Sequence, residues 1–114
     1  MDEQTFQKFL AESVEKTLSA LGWRAKDAIL INFLNKYNLT NQEEIADHPK
    51  EFENFLWDIF NHGASIIIRA IITDMFEKLG IPEMATDTDL ATAIQTLQKM
   101  IRSNSPKDNA KASN

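Results

Sequence analysis

Two histidines each follow a carboxylate by four residues, Glu44 before His48 and Asp58 before His62. On a helix that spacing places both side chains on one face, close enough to share a metal ion. Di-iron helical bundles use a Glu-x-x-His spacing with further glutamates, a set this sequence lacks. His48 also stands directly before Pro49, where a helix is expected to stop. Ordinary ion pairing on a helix surface is therefore the expected role of both pairs. On one continuous helix, Asp58, His62 and Ser65 would align as an acid, a base and a nucleophile. Hydrolysis also needs oxyanion donors and a pocket, which residues stacked along a single helix rarely provide. No two glycines lie within fifteen residues of each other, so a glycine-rich phosphate loop is absent. We assign no catalytic, metal or cofactor residue, and expect a protein that is not an enzyme.

The elements that position these residues are helices. Apolar side chains recur with a period near 3.6 throughout, and no run alternates with period two. Phe6, Phe9, Leu10, Val14, Leu18 and Leu21 form one stripe over Glu3 to Leu21, and Gly22 fits the position just past its end. Ile29, Leu30, Phe33, Leu34 and Tyr37 mark a second helix from about Arg24 to Tyr37. Thr40 with Glu43, or Asn41 with Glu44 one step along, supplies a capping box for a short helix ending near His48. Pro49 suits the first turn of the next, whose stripe is Phe52, Phe55, Leu56, Ile59 and Phe60 with Trp57 beside it.

The apolar register continues through Gly63 into residues 66 and 67, as one unbroken helix would require. Such a helix would be ~46 Å long, beyond the girth of a domain this size. A break or sharp kink is therefore favoured at Asn61–Gly63, with Ser65 as a candidate cap for the new start. Gly80, Ile81 and Pro82 stop this segment, and Thr86 or Asp87 starts a last helix with Leu90, Ile94, Leu97 and Ile101 on its stripe. The expected fold is all-α: one compact bundle of five to six helices over residues 1–102, with a disordered tail at 103–114 that lacks Ile, Leu, Val, Phe and Met.

The 114 residues suffice for one domain with one core. The absence of cysteine favours the reducing cytosol, and the acidic opening MDEQTFQKFL is unlike a secretory leader. Arg69 cuts the longest apolar run well short of the ~20 residues of a membrane span. The expected location is cytoplasmic. Six acids between Glu43 and Asp58 face Lys50 alone, which accounts for the whole net charge of −5 and leaves the rest of the chain neutral. With no basic stripe, direct nucleic-acid binding is disfavoured. The acidic segment is a solvated helix face or a docking surface for a basic partner.

Between Ala64 and Leu79 the apolar residues cover an arc of roughly 180°, against ~100° for an ordinary surface helix. Either this helix is the central post of one bundle, or the bundle covers half and a second copy covers the rest. Ile66 sits apart on the polar side, beside the ridge Ser65, Arg69, Thr73 and Glu77. The candidate partner-binding residues are Ile66, Ile67, Ile71 and Met75 on this helix, with Glu43, Glu44 and Glu51 on the acidic stretch.

Pro49 with Glu51-Phe52, the Phe60-to-Gly63-Ala64 junction and the closing Leu79-Gly80-Ile81 together resemble the archaeal Nitrosopumilus output domain family, over roughly residues 5 to 82. The resemblance implies an all-helical, signalling-associated fold and supplies no active-site residues. The expected function is thus a protein-interaction module, an output or adaptor that forms a homodimer or binds another protein. The alternative is a helical sensor of a small molecule or lipid, with a pocket among Phe33, Phe55, Phe60, Ile68 and Phe76.

Overall fold

Five α-helices and one 3-10 helix make up the ordered elements of the computed structural model, which describes residues 2–81 and 88–103. Helix α1 (Glu3–Ser19) starts where the Asp2 carboxylate accepts the Thr5 N–H at 2.7 Å, a bond that holds the Asp2 pKa below its usual value. Phe6, Leu10, Val14 and Leu18, spaced four apart, are buried along one stripe. The helix ends two residues before Leu21, which leaves that stripe and is 45% exposed rather than buried as expected. Gly22 turns the corner at φ 103°, a backbone that a side chain would strain, and α2 (Trp23–Lys36) returns along α1.

Asn38 ends α2 in the left-handed region at φ 55°, with the Leu39 N–H bonded back to the Leu34 carbonyl at 2.8 Å. The 3-10 helix (Gln42–Asp47) follows and buries Ile45 completely against α1. Its capping box uses Asn41 and Glu44 rather than Thr40 and Glu43. The Glu44 carboxylate accepts from the Thr40 and Asn41 N–H groups and the Thr40 hydroxyl, and these bonds keep its pKa low. Because a six-residue turn has few internal bonds, this local cap fixes the loop's entry.

Helix α3 (Pro49–Phe60) opens on Pro49 at its first position and buries Phe52, Phe55 and Leu56. It stops at Asn61, whose φ of 51° and ψ of −128° lie outside any helix, and α4 (Gly63–Lys78) begins two residues on. The break expected at Asn61–Gly63 is present, but Asn61 alone carries the positive φ. Ser65 does not cap the new start; its hydroxyl donates to the His62 carbonyl within the first turn. Ile59, expected on the buried stripe, is 46% exposed in the last turn of α3, where the chain turns away before another helical turn can cover it.

Helix α4 is the post around which α1, α3 and α5 pack. Ala64, Ile68, Ile71, Ile72, Met75 and Phe76 are buried within the chain itself. Each large apolar side chain so buried contributes about 1.5–3 kcal/mol. Gly80 ends α4 at φ 66°, with the Ile81 N–H bonded to the Phe76 carbonyl at 3.0 Å and Ile81 packed on the core. Helix α5 (Leu90–Ser103) starts after Asp89, whose carboxylate accepts the Thr92 N–H at 2.7 Å; Thr86 and Asp87, the expected start, lie outside the described residues. Residues 82–87 and the tail from 104 onward lie outside the described residues. None of the described helices is long and apolar enough to cross a membrane.

Candidate interaction surface

Helices α1 and α4 run antiparallel: the Lys78 ammonium sits 5.9 Å from the centre of the Phe9 ring, and Lys16 bonds Asp74 at 2.9 Å. On the solvent side of this pair, Thr17 and Ala20 from the α1 side face a groove that Ala70 and Thr73 line from α4. These side chains are short, so the shoulders of the helices leave an open groove of about 470 Å³. Ile66 stands at one end, 73% exposed, and Glu77 at the other. Lys16, Arg69 and Asp74 complete the rim. The groove thus joins a short-chained floor to one large exposed aliphatic side chain and two charges of each sign.

Asp74 anchors the wall. It is nearly buried, paired with Lys16 at 2.9 Å and with Lys78 at 3.1 Å. Burial alone would raise its pKa, but Lys16, the neighbouring Ser13 hydroxyl and Lys78 outweigh burial and hold the carboxyl below its usual value. Ser13 is fully buried on α1, with its hydroxyl in no well-aligned hydrogen bond. Lys16, in turn, is held above its usual pKa by the bond to Asp74.

The structure separates the residues singled out in the sequence. Ile71 and Met75 are fully buried inside the chain and offer no surface to a partner; the central post absorbs them. Ile67 is half-buried against the core, and Ile66 alone of the four faces solvent as a partner would need. Glu44 is engaged in its capping box, and Glu51 lies 3.9 Å from the His48 Nδ1. Glu43 lines a separate cleft with Lys8, Glu12 and Glu15. Other acids of the segment also serve the fold. Glu53 accepts the Leu90 N–H at 2.8 Å, holding the first turn of α5, and Asp58 lies 3.7 Å from Lys36.

The break at Asn61 removes the alignment of Asp58, His62 and Ser65. His62 instead meets Trp57 edge to face at 5.9 Å. Among the described residues, no three His, Cys, Asp or Glu side chains gather as a metal site would require. In the region proposed for a ligand pocket, Phe33 packs on Phe52 at 5.0 Å and on Phe55 at 5.5 Å, so the rings fill the space between α2 and α3.

Sequence reasoning missed the α1 half of the groove, and Trp23 is 64% exposed beside the α1–α2 corner. Helical spacing alone does reveal the α4 half: Ile66, Ala70, Thr73 and Glu77 follow one another by four, three and four. No protein-family model, curated protein or solved structure matches the chain.

Proposed function

We propose that this chain is a non-enzymatic protein-interaction module, an output or adaptor element of a regulatory system, working through the α1–α4 groove. The single observation that carries this reading is Ile66: a large aliphatic side chain 73% open to water at the lip of a groove floored by short side chains. An aliphatic anchor beside a shallow groove is what a helix or strand of a partner buries on docking. Scattered exposed aliphatics are common, so the groove, and not the exposure alone, is the support. The acidic segment contributes less than its charge suggests, because Glu44, Glu53 and Asp58 already act within the fold. A photo-reactive residue placed at Ala70 and irradiated in cells tests the reading. It should give a discrete protein adduct that Ile66→Asp abolishes; irradiation without an adduct, or an adduct indifferent to Ile66, refutes it.

A further inference from the structure

We infer that the end of the molecule formed by the α1–α2 and α3–α4 corners is a docking surface for the interfacial layer of a phospholipid bilayer. This goes beyond the α1–α4 groove, which meets the surface only at Ile66. The antiparallel run of α1 and α4 sets the end of α1 beside the start of α4, and Ala20 and Ile66 line the same groove. Both corners therefore stand at one end of the fold. Leu21 and Trp23 are exposed on the first corner, Trp57 and Ile59 on the second. These are four of the six large apolar side chains exposed among the described residues.

Each corner repeats one set of groups. The first has Leu21, Trp23 and Arg24, whose guanidinium lies 5.2 Å from the centre of the Trp23 ring. The second has Ile59, Trp57 and the exposed His62, whose ring meets Trp57 edge to face at 5.9 Å. A lipid interface takes up such a set at successive depths. The acyl boundary accepts the aliphatic chain, the headgroup level accepts the indole, and a phosphate oxygen accepts hydrogen bonds from the basic group.

Shape and charge select this occupant. Leu21, Trp23 and Ile59 flank turns and stand out from the end of the bundle, where a soft surface takes them without a matching cavity. The two carboxylates within these corners are each near a lysine, Asp27 at 3.7 Å from Lys26 and Asp58 at 3.7 Å from Lys36. The acids that give the chain its negative charge lie toward the other end. There Glu3 opens α1, Gln7 bonds Asp47 at 3.3 Å, and Glu51 stands in the first turn of α3. The corners are thus the part of the surface that a phosphate layer repels least. Docking is shallow, at headgroup depth, and no helix crosses the bilayer.

Both tryptophans of the chain sit at these corners, so fluorescence reads the docking directly. Vesicles of phosphatidylcholine with about 30% phosphatidylglycerol, at about 1 mM lipid, should shift the emission to the blue by about 5–10 nm. Lipid brominated on its acyl chains should quench that emission. Trp57→Phe should keep the shift, then reported by Trp23 alone. Leu21→Ser with Trp23→Ser should weaken flotation with the vesicles about ten-fold, and Arg24→Glu about five-fold. Circular dichroism checks that each variant is folded; Arg24→Glu carries the test should the double variant unfold. Emission unmoved by vesicles, or flotation indifferent to these changes, overturns the assignment. A blue shift that grows with protein concentration in the absence of vesicles also overturns it, in favour of a protein surface. The vesicles report the corners and the Ala70 photo-adduct reports the groove, so the two readings fail separately.

Discussion

Asn61 holds the turn between α3 and α4 in a backbone that only glycine adopts without strain, φ 51° with ψ −128°. Replacing it by glycine should therefore stabilise the protein. A residue held in such a region costs about 1–3 kcal/mol. Glycine removes most of that cost but gives back about 0.5–1 kcal/mol through its greater freedom in the unfolded chain. Asn61 is exposed and no side-chain hydrogen bond caps α4 at this junction, so little else is lost. The net gain is about 1 kcal/mol. With a urea dependence of about 1–3 kcal/mol per molar, the unfolding midpoint followed by circular dichroism should rise by roughly 0.5 M. Asn61→Ala should do the reverse, because alanine lacks asparagine's tolerance of positive φ. The informative contrary result is stabilisation by Asn61→Ala with a gain in helical signal. It would mean that α3 and α4 prefer to fuse, and that Asn61 imposes no turn.

Phe33→Ala removes the ring that joins α2 to Phe52 and Phe55 and should cost about 3–5 kcal/mol by urea unfolding. Acid should destabilise the fold in part through Asp74. Its folded pKa lies below the usual 3.8, so its stabilisation is present above that value and disappears as pH falls through the lower folded pKa. Asp74→Asn should flatten the loss of unfolding midpoint between about pH 5 and pH 2, compared with wild type over the same range. Glu53→Gln should loosen α5 selectively, read as faster amide exchange at Leu90 with the exchange of α1 unchanged.

What could be read from the sequence follows the range of each interaction. Helix stops set by neighbouring residues were legible: Pro49 opens α3, and Gly80 with Ile81 closes α4, because each acts within one turn. The wide apolar arc of α4 also identified the central element, but the sequence left open whether the chain or a second copy covers it. Coverage by α1, α3 and α5 is a tertiary matter, and it places Ile71 and Met75 inside. Leu21 and Ile59 look like core positions by periodicity and are half-exposed because their helices end within two residues. The acidic segment shows the same limit. Its charge is evident from composition, yet the bond from Leu90 to Glu53 spans 37 residues and no local pattern announces it. The groove is not legible in the sequence for a related reason: α1 supplies Thr17 and Ala20, residues that line a surface only once Ala70 and Thr73 lie opposite.

Helix α4 has one face sealed within the chain and one face open. Aspartate at Ile71 and at Ile66, compared in a single urea-unfolding experiment on dilute protein, tests that division most directly. Ile71 is fully buried, so a charge there should cost at least about 3–5 kcal/mol, much of a typical 5–15 kcal/mol stability. At Ile66, 73% exposed, the same change should stay within about 0.5 kcal/mol of wild type. Equal tolerance at both positions, or unfolding caused by Ile66→Asp alone, would contradict the account.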